Sequence, residues 1–170
     1  MQALRNMTQA GYTLIEVLIA LVVISIGMLG MAGLQVSSLK QNQSAYMRSQ
    51  ATLLAYDIVD RMRANIAAVD NGDYFAATSK AVSTCSTTAG CSDSDMAATD
   101  LAQWREAIAL ELPSGNGRVC RGLNPEAETA GSPACASNNN SALPIVVFVW
   151  WNDERSKDEV STQLAISTEL

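Results

Sequence analysis

GYTLIEVLIALVVISIGMLGMAGL, residues 11–34, decides how the rest of the chain is read. From Tyr12 to Leu34 there are 23 residues and one charge, Glu16. As a helix they reach roughly 34 Å, enough to cross a hydrocarbon core of about 30 Å. Residues 1–11 ahead of them are short and polar, with Arg5 as the only charged side chain. That order, polar and then apolar without a small-x-small site beyond, differs from a secretory signal peptide. Arg5 on the near side predicts a cytoplasmic amino terminus and places everything after about residue 35 outside.

Glu16 needs compensation, because a carboxylate in an apolar span costs about 2.5–3.5 kcal/mol on insertion scales. Two readings are open. The carboxylate sits near the membrane edge, snorkelling or protonated. Or the chain is cut after Gly11, and the new amino group of Tyr12, four residues away, offsets the charge in its own or a neighbouring chain. Gly27, Gly30 and Gly33 recur every three residues. They let backbones approach closely, and they also loosen the helix by about 1 kcal/mol each relative to alanine.

The sequence turns polar after Leu34 without a break. Leu54, Ile58, Met62 and Ile66 then follow at spacing four, with Ala51, Ala55 and Val59 beside them. This predicts an apolar helix face. No proline occurs before Pro113, so a single helix over about 12–69 is expected, stopped by Asp70-Asn71-Gly72-Asp73. The Ser-, Thr-, Ala- and Asp-rich stretch 76–99 reads as a loop. A short helix is expected from Asp100, capped with Gln103 and presenting Leu101, Trp104, Ile108 and Leu112, up to Pro113-Ser114-Gly115. Strands are predicted around 118–123, over 143–151 and through Val160, Leu164 and Ile166. Trp150 and Trp151 fall on opposite faces of the second. One packs inward; the other meets either a partner or a covering loop. The expected fold is α+β, a long N-terminal helix, membrane-spanning in its first half, against a small antiparallel sheet. The expected divisions are a leader at 1–11, a transmembrane or filament-core half at 12–34, an amphipathic half at 35–69, and an extracytoplasmic globular domain at 70–170.

Composition excludes several functions. Formal charge is −6, and −7 without residues 1–11, since Arg5 alone is lost. With no basic run, nucleic acid is not an expected partner. There are no histidines, which removes the commonest general base and metal ligand. Asp93 with Asp95, and Asp153, Glu154, Asp158 and Glu159, lack the calcium-loop pattern and read as solvated turns. No catalytic residues and no cofactor are expected. Cys85, Cys91, Cys120 and Cys135 all lie beyond the span, on the side where disulfides persist. Of the three possible pairings, Cys85 with Cys91 and Cys120 with Cys135 are favoured because each closes a local loop. A four-thiolate zinc site is the rival, without a close C-x-x-C pair to support it.

Gly11-Tyr12-Thr13-Leu14-Ile15-Glu16 before an apolar helix closely resembles the type IV prepilin signature, in which a glycine precedes an aromatic residue and glutamate is fifth in the mature chain. The resemblance implies cleavage between Gly11 and Tyr12 by prepilin peptidase, N-methylation of Tyr12 and docking of subunits through Glu16. The family usually has phenylalanine where this chain has Tyr12. Asp100-Leu101-Ala102-Gln103-Trp104, Leu112-Pro113-Ser114-Gly115-Asn116-Gly117-Arg118-Val119 and Val149-Trp150-Trp151-Asn152-Asp153 resemble blocks of the PilV group of minor pilins, the type IV pilus modification proteins. That group implies a low-abundance subunit that primes pilus growth near the tip, in twitching motility and adhesion. Its implied partners are other minor pilins, the major pilin, the inner membrane and a tip adhesin. Its implied location is the inner membrane, single-pass with a periplasmic domain, and then the pilus. A minor pseudopilin of a type II secretion system shares the helix and the processing, and a single-pass anchored binding domain that never polymerises predicts an uncut amino terminus.

Overall fold

The computed structural model describes residues 11–75, 79–88, 90–122, 135, 143–153 and 162–170. The expected leader, except Gly11, lies outside these residues, as do Leu123, Glu154, Asp158, Glu159, Val160 and nearly all of the second long loop. The chain divides into two compact units, residues 1–43 and 44–170.

One helix, α1, Leu14–Ala64, runs through both. In the first unit every described residue is exposed, and by length and composition its apolar stretch suffices to cross a membrane.

In the second unit α1 buries Met47, Ala51, Leu54, Ala55, Ile58, Val59 and Met62, the face that the spacing of four predicts. The expected single helix to Val69 is interrupted at Asn65, whose backbone (φ −130°, ψ 59°) is not helical. Its side-chain amide donates to the Asp93 carbonyl (2.8 Å), an alternative that asparagine offers in place of continuing the helix. A short α2, Ile66–Asn71, follows, and Ile66, expected on the apolar face, is exposed. Gly72 ends α2 in the left-handed region (φ 86°), its N–H directed to the carbonyls of Ala68 and Val69. Only glycine takes that conformation without steric cost.

After a 3-10 turn at Asp73–Phe75 and another at Ser83–Ser86, α3 spans Asp93–Glu111. It starts seven residues before the expected Asp100. The cap is Ser92, whose Oγ accepts from the Asp95 N–H (3.1 Å) and donates to the Asp95 carboxylate (2.8 Å). Ser92-Asp93-Ser94-Asp95 is thus a helix start with the acidic residues where the macrodipole favours them; its loop-like composition hid it. Leu101, Trp104, Ile108 and Leu112 are all buried, as their spacing predicts.

The sheet is an antiparallel meander in the order β1-β2-β3, with β1 at Asn116–Arg121, β2 at Ile145–Trp151 and β3 at Thr162–Thr168. Val119 pairs with Val147, and Val147 in turn with Ile166. On one face Ile145, Val147, Val149 and Trp151 join α1 and α3 in the main core. On the other, Val146, Phe148 and Trp150 form a second cluster with Cys120, against which Cys135 packs. Trp151 is therefore the inward tryptophan, and Trp150, at 9% exposure, is covered rather than left for a partner.

Candidate assembly site

In the first unit, Gly11, Tyr12 and Thr13 precede the helix, and Tyr12 is 82% exposed. The Thr13 carbonyl accepts from the N–H groups of Glu16 (3.1 Å) and Val17 (3.3 Å), which opens α1. Glu16 consequently stands in the first helical turn. There the unpaired N–H groups and the positive end of the macrodipole favour an anion, typically by 0.3–1 kcal/mol. Beside the two readings open from sequence, a membrane-edge carboxylate or a cationic Tyr12 amine, the helix start supplies a further source of compensation. Leu14, Ile15, Leu18, Ile19, Val22, Val23, Ile26 and Leu29 are all more than half exposed. A Cβ added at Gly27, Gly30 or Gly33 would meet nothing within 4 Å. The segment has the surface of a helix awaiting an apolar environment.

In the second unit the residues singled out by sequence converge on one junction. Trp104 donates its indole N–H to the Leu54 carbonyl (2.8 Å), fastening α3 to α1. Its ring lies where a side chain on Gly117 would be, since a Cβ there would come within 2.4 Å of the ring; glycine at 117 is what allows β1 to approach α3. The Asn152 N–H donates to the Pro113 carbonyl (2.8 Å), joining the end of β2 to the turn after α3. The three blocks at 100–104, 112–119 and 149–153 are thus one structural assembly: a helix, its stop and the sheet that packs on it.

Asp100 sits at this junction, 8% exposed. Its carboxylate accepts from the Tyr74 hydroxyl (2.6 Å) and from the Arg61 guanidinium (3.1 Å). Arg61 also donates to Gln103 (3.0 Å) and Asp57 (3.1 Å). Burial, reinforced by the Asp100 carboxylate, pushes the Tyr74 phenol well above its usual range. Arg105 donates to the Gly117 carbonyl (3.1 Å) and the Ser79 hydroxyl (2.8 Å); burial, and then the nearby Arg118, lower it from the usual guanidinium value. Sequence reasoning gave Asp100 a capping role, which Ser92 holds instead, and passed over Tyr74 and Phe75. Their signal was an aromatic pair beginning two residues after the helix-ending Gly72.

All four cysteines are bonded, Cys85 to Cys91 (Cα–Cα 4.9 Å) and Cys120 to Cys135 (Cα–Cα 5.1 Å). No thiolate is left for a zinc ion.

A helix long and apolar enough to cross a membrane, attached to a small disulfide-bonded α+β domain, is the architecture on which the comparisons with known proteins bear. The prokaryotic N-terminal methylation motif matches residues 6–32, and the type IV pilin Tt1218 family matches residues 33–102. The two matches adjoin and run without a gap from residue 6 to residue 102, and the chain belongs to the type IV pilin-like family. No curated protein and no solved structure matches the chain. The family is a structural one, and its methylation motif implies processing by prepilin peptidase and assembly with other pilins.

Proposed function

We propose that this pilin is a minor subunit that primes assembly of a type IV pilus and stays near its tip. The observation that carries this reading is the exposed apolar first half of α1, with Glu16 in its first turn. Such a surface is stable only in lipid or against other apolar helices. In this account the chain inserts with its amino terminus in the cytoplasm and its globular domain in the periplasm. Prepilin peptidase cuts between Gly11 and Tyr12 and methylates the Tyr12 amine. Residues 12–34 lie first in the inner membrane and then in the filament core, residues 35–69 carry the globular domain, and residues 70–170 face neighbouring subunits. Glu16 on an incoming subunit pairs with the cationic Tyr12 amine of a neighbour. In a medium without water that attraction is far stronger than at a surface, so it draws subunits into register while the membrane still surrounds them.

The similarity of the blocks at 100–104, 112–119 and 149–153 to minor pilins of the PilV group supports the assignment to the priming complex. Glu16→Ala is expected to leave cleavage after Gly11 intact and to abolish incorporation, read as loss of the protein from sheared pili and loss of twitching. Normal piliation in that variant would contradict the docking role. Affinity isolation from membranes is expected to recover pilus subunits; recovery of type II secretion components would assign the chain to a pseudopilus instead.

A further inference from the structure

Arg121 is a cation taken out of water, 6% exposed, and among the described residues no carboxylate pairs with it. Its Nη2 donates to the Val69 carbonyl (3.1 Å), and the guanidinium lies 4.9 Å from the centre of the Phe75 ring. Both contacts ease the loss of water, yet neither partner carries a negative charge. The Nε–H is buried without an acceptor, although buried donors are normally satisfied.

The sheet explains where this charge stands. Arg121 ends β1 and pairs with Ile145 at the start of β2, which pairs in turn with Thr168 at the end of β3. Cross-strand partners share a face, so these side chains form one row across the end of the sheet. With Glu169 beside them they line a cavity of about 350 Å³, bordered mostly by polar atoms. That volume lies at the small end of ligand sites, about 300–1,000 Å³. Glu169 is exposed, and among the described residues its carboxylate has no cationic partner either. Arg121 and Glu169 thus border one cavity without forming an ion pair with each other.

We propose that this cavity binds a small α-amino acid, its carboxylate on the Arg121 guanidinium and its ammonium group on the Glu169 carboxylate. A guanidinium offers a fixed fork of N–H donors that matches a carboxylate. Glu169 repels a dianion such as phosphate, and Arg121 repels a simple cation; a zwitterion answers both. The polar lining selects a small or hydroxyl-bearing side chain over a large apolar one. Thr168 adds a hydroxyl whose own hydrogen bond, to the Glu169 carbonyl, is long (3.5 Å). The site belongs to the globular unit and does not depend on the filament assignment.

The test uses the full chain in detergent, isotope-labelled at arginine, with glycine as the probe. The Arg121 Nε–H signal, assigned through bonds from its own backbone, is followed by NMR. Glycine is expected to shift it saturably, at about tenfold lower concentration than acetate, which lacks the ammonium group. Methylammonium is expected to leave the signal in place. Glu169→Gln, at an exposed position outside the core, is expected to weaken glycine binding about tenfold, to the level of acetate. The proposal is overturned if decimolar glycine gives no saturable shift, if acetate binds as well as glycine, if methylammonium shifts the signal equally, or if Glu169→Gln leaves the glycine titration unchanged.

Discussion

Asp100 receives the Tyr74 hydroxyl on one oxygen and the Arg61 guanidinium on the other, so a single carboxylate joins α1, α3 and the turn between them. Tyr74→Phe removes one bond to that carboxylate while keeping the ring in the core. Hydrogen bonds to charged groups contribute about 1.5–3 kcal/mol, and a loss of that size is expected in urea unfolding. The same pair sets a pH dependence. The folded-state pKa of Tyr74 lies above its unfolded value, so its contribution is complete below the unfolded value of about 10 and is lost as pH rises through the folded one. Unfolding stability measured from pH 8 to 11 is expected to fall above about pH 10 in the native chain, and to fall less in Tyr74→Phe. None of this was legible beforehand, because a buried aspartate inside a helix and an exposed one at its start look alike in sequence. Glu16 is the opposite case: one charge in an apolar run of 23 residues is conspicuous by cost alone.

At the scale of elements, periodicity served better than composition. The apolar faces of α1 and α3 and all three strands followed from spacing and β-branched content, whereas Asp93 to Thr99 read as a loop and is helix. Serine and aspartate favour turns and helix caps for the same reason, a side chain that bonds to the backbone, and their frequency alone does not separate the two. Asn65 shows the same ambiguity inside an apolar period. The Cys120–Cys135 bond is the element-level feature with the largest expected effect, because it seats Cys135 against the cluster of Cys120, Val146, Phe148 and Trp150. Loop-closure entropy gives about 3 kcal/mol for its 15-residue separation and about 2 kcal/mol for the six-residue separation of Cys85 and Cys91. Replacing Cys120 and Cys135 by serine is therefore expected to lower stability more than the same change at Cys85 and Cys91. It should also shift tryptophan emission to the red as Trp150 becomes wet. Equal losses with unchanged emission would mean that the second cluster does not rely on the bond.

The whole molecule combines two solvents. Residues 44–170 bury a core of ordinary composition around Trp104, Phe75 and Trp151, while the apolar residues between Leu14 and Leu39 bury nothing in the isolated chain. A formal charge of −6 and an average composition conceal that division; the position of the apolar residues reveals it. The account turns on what happens at the boundary of residues 11 and 12, where a new chain end would face the Glu16 carboxylate of a neighbour. Intact-mass measurement of the protein extracted from membranes tests it most directly. The expected mass is that of Tyr12–Leu170 with one added methyl group; a mass that still includes residues 1–11 would contradict the account.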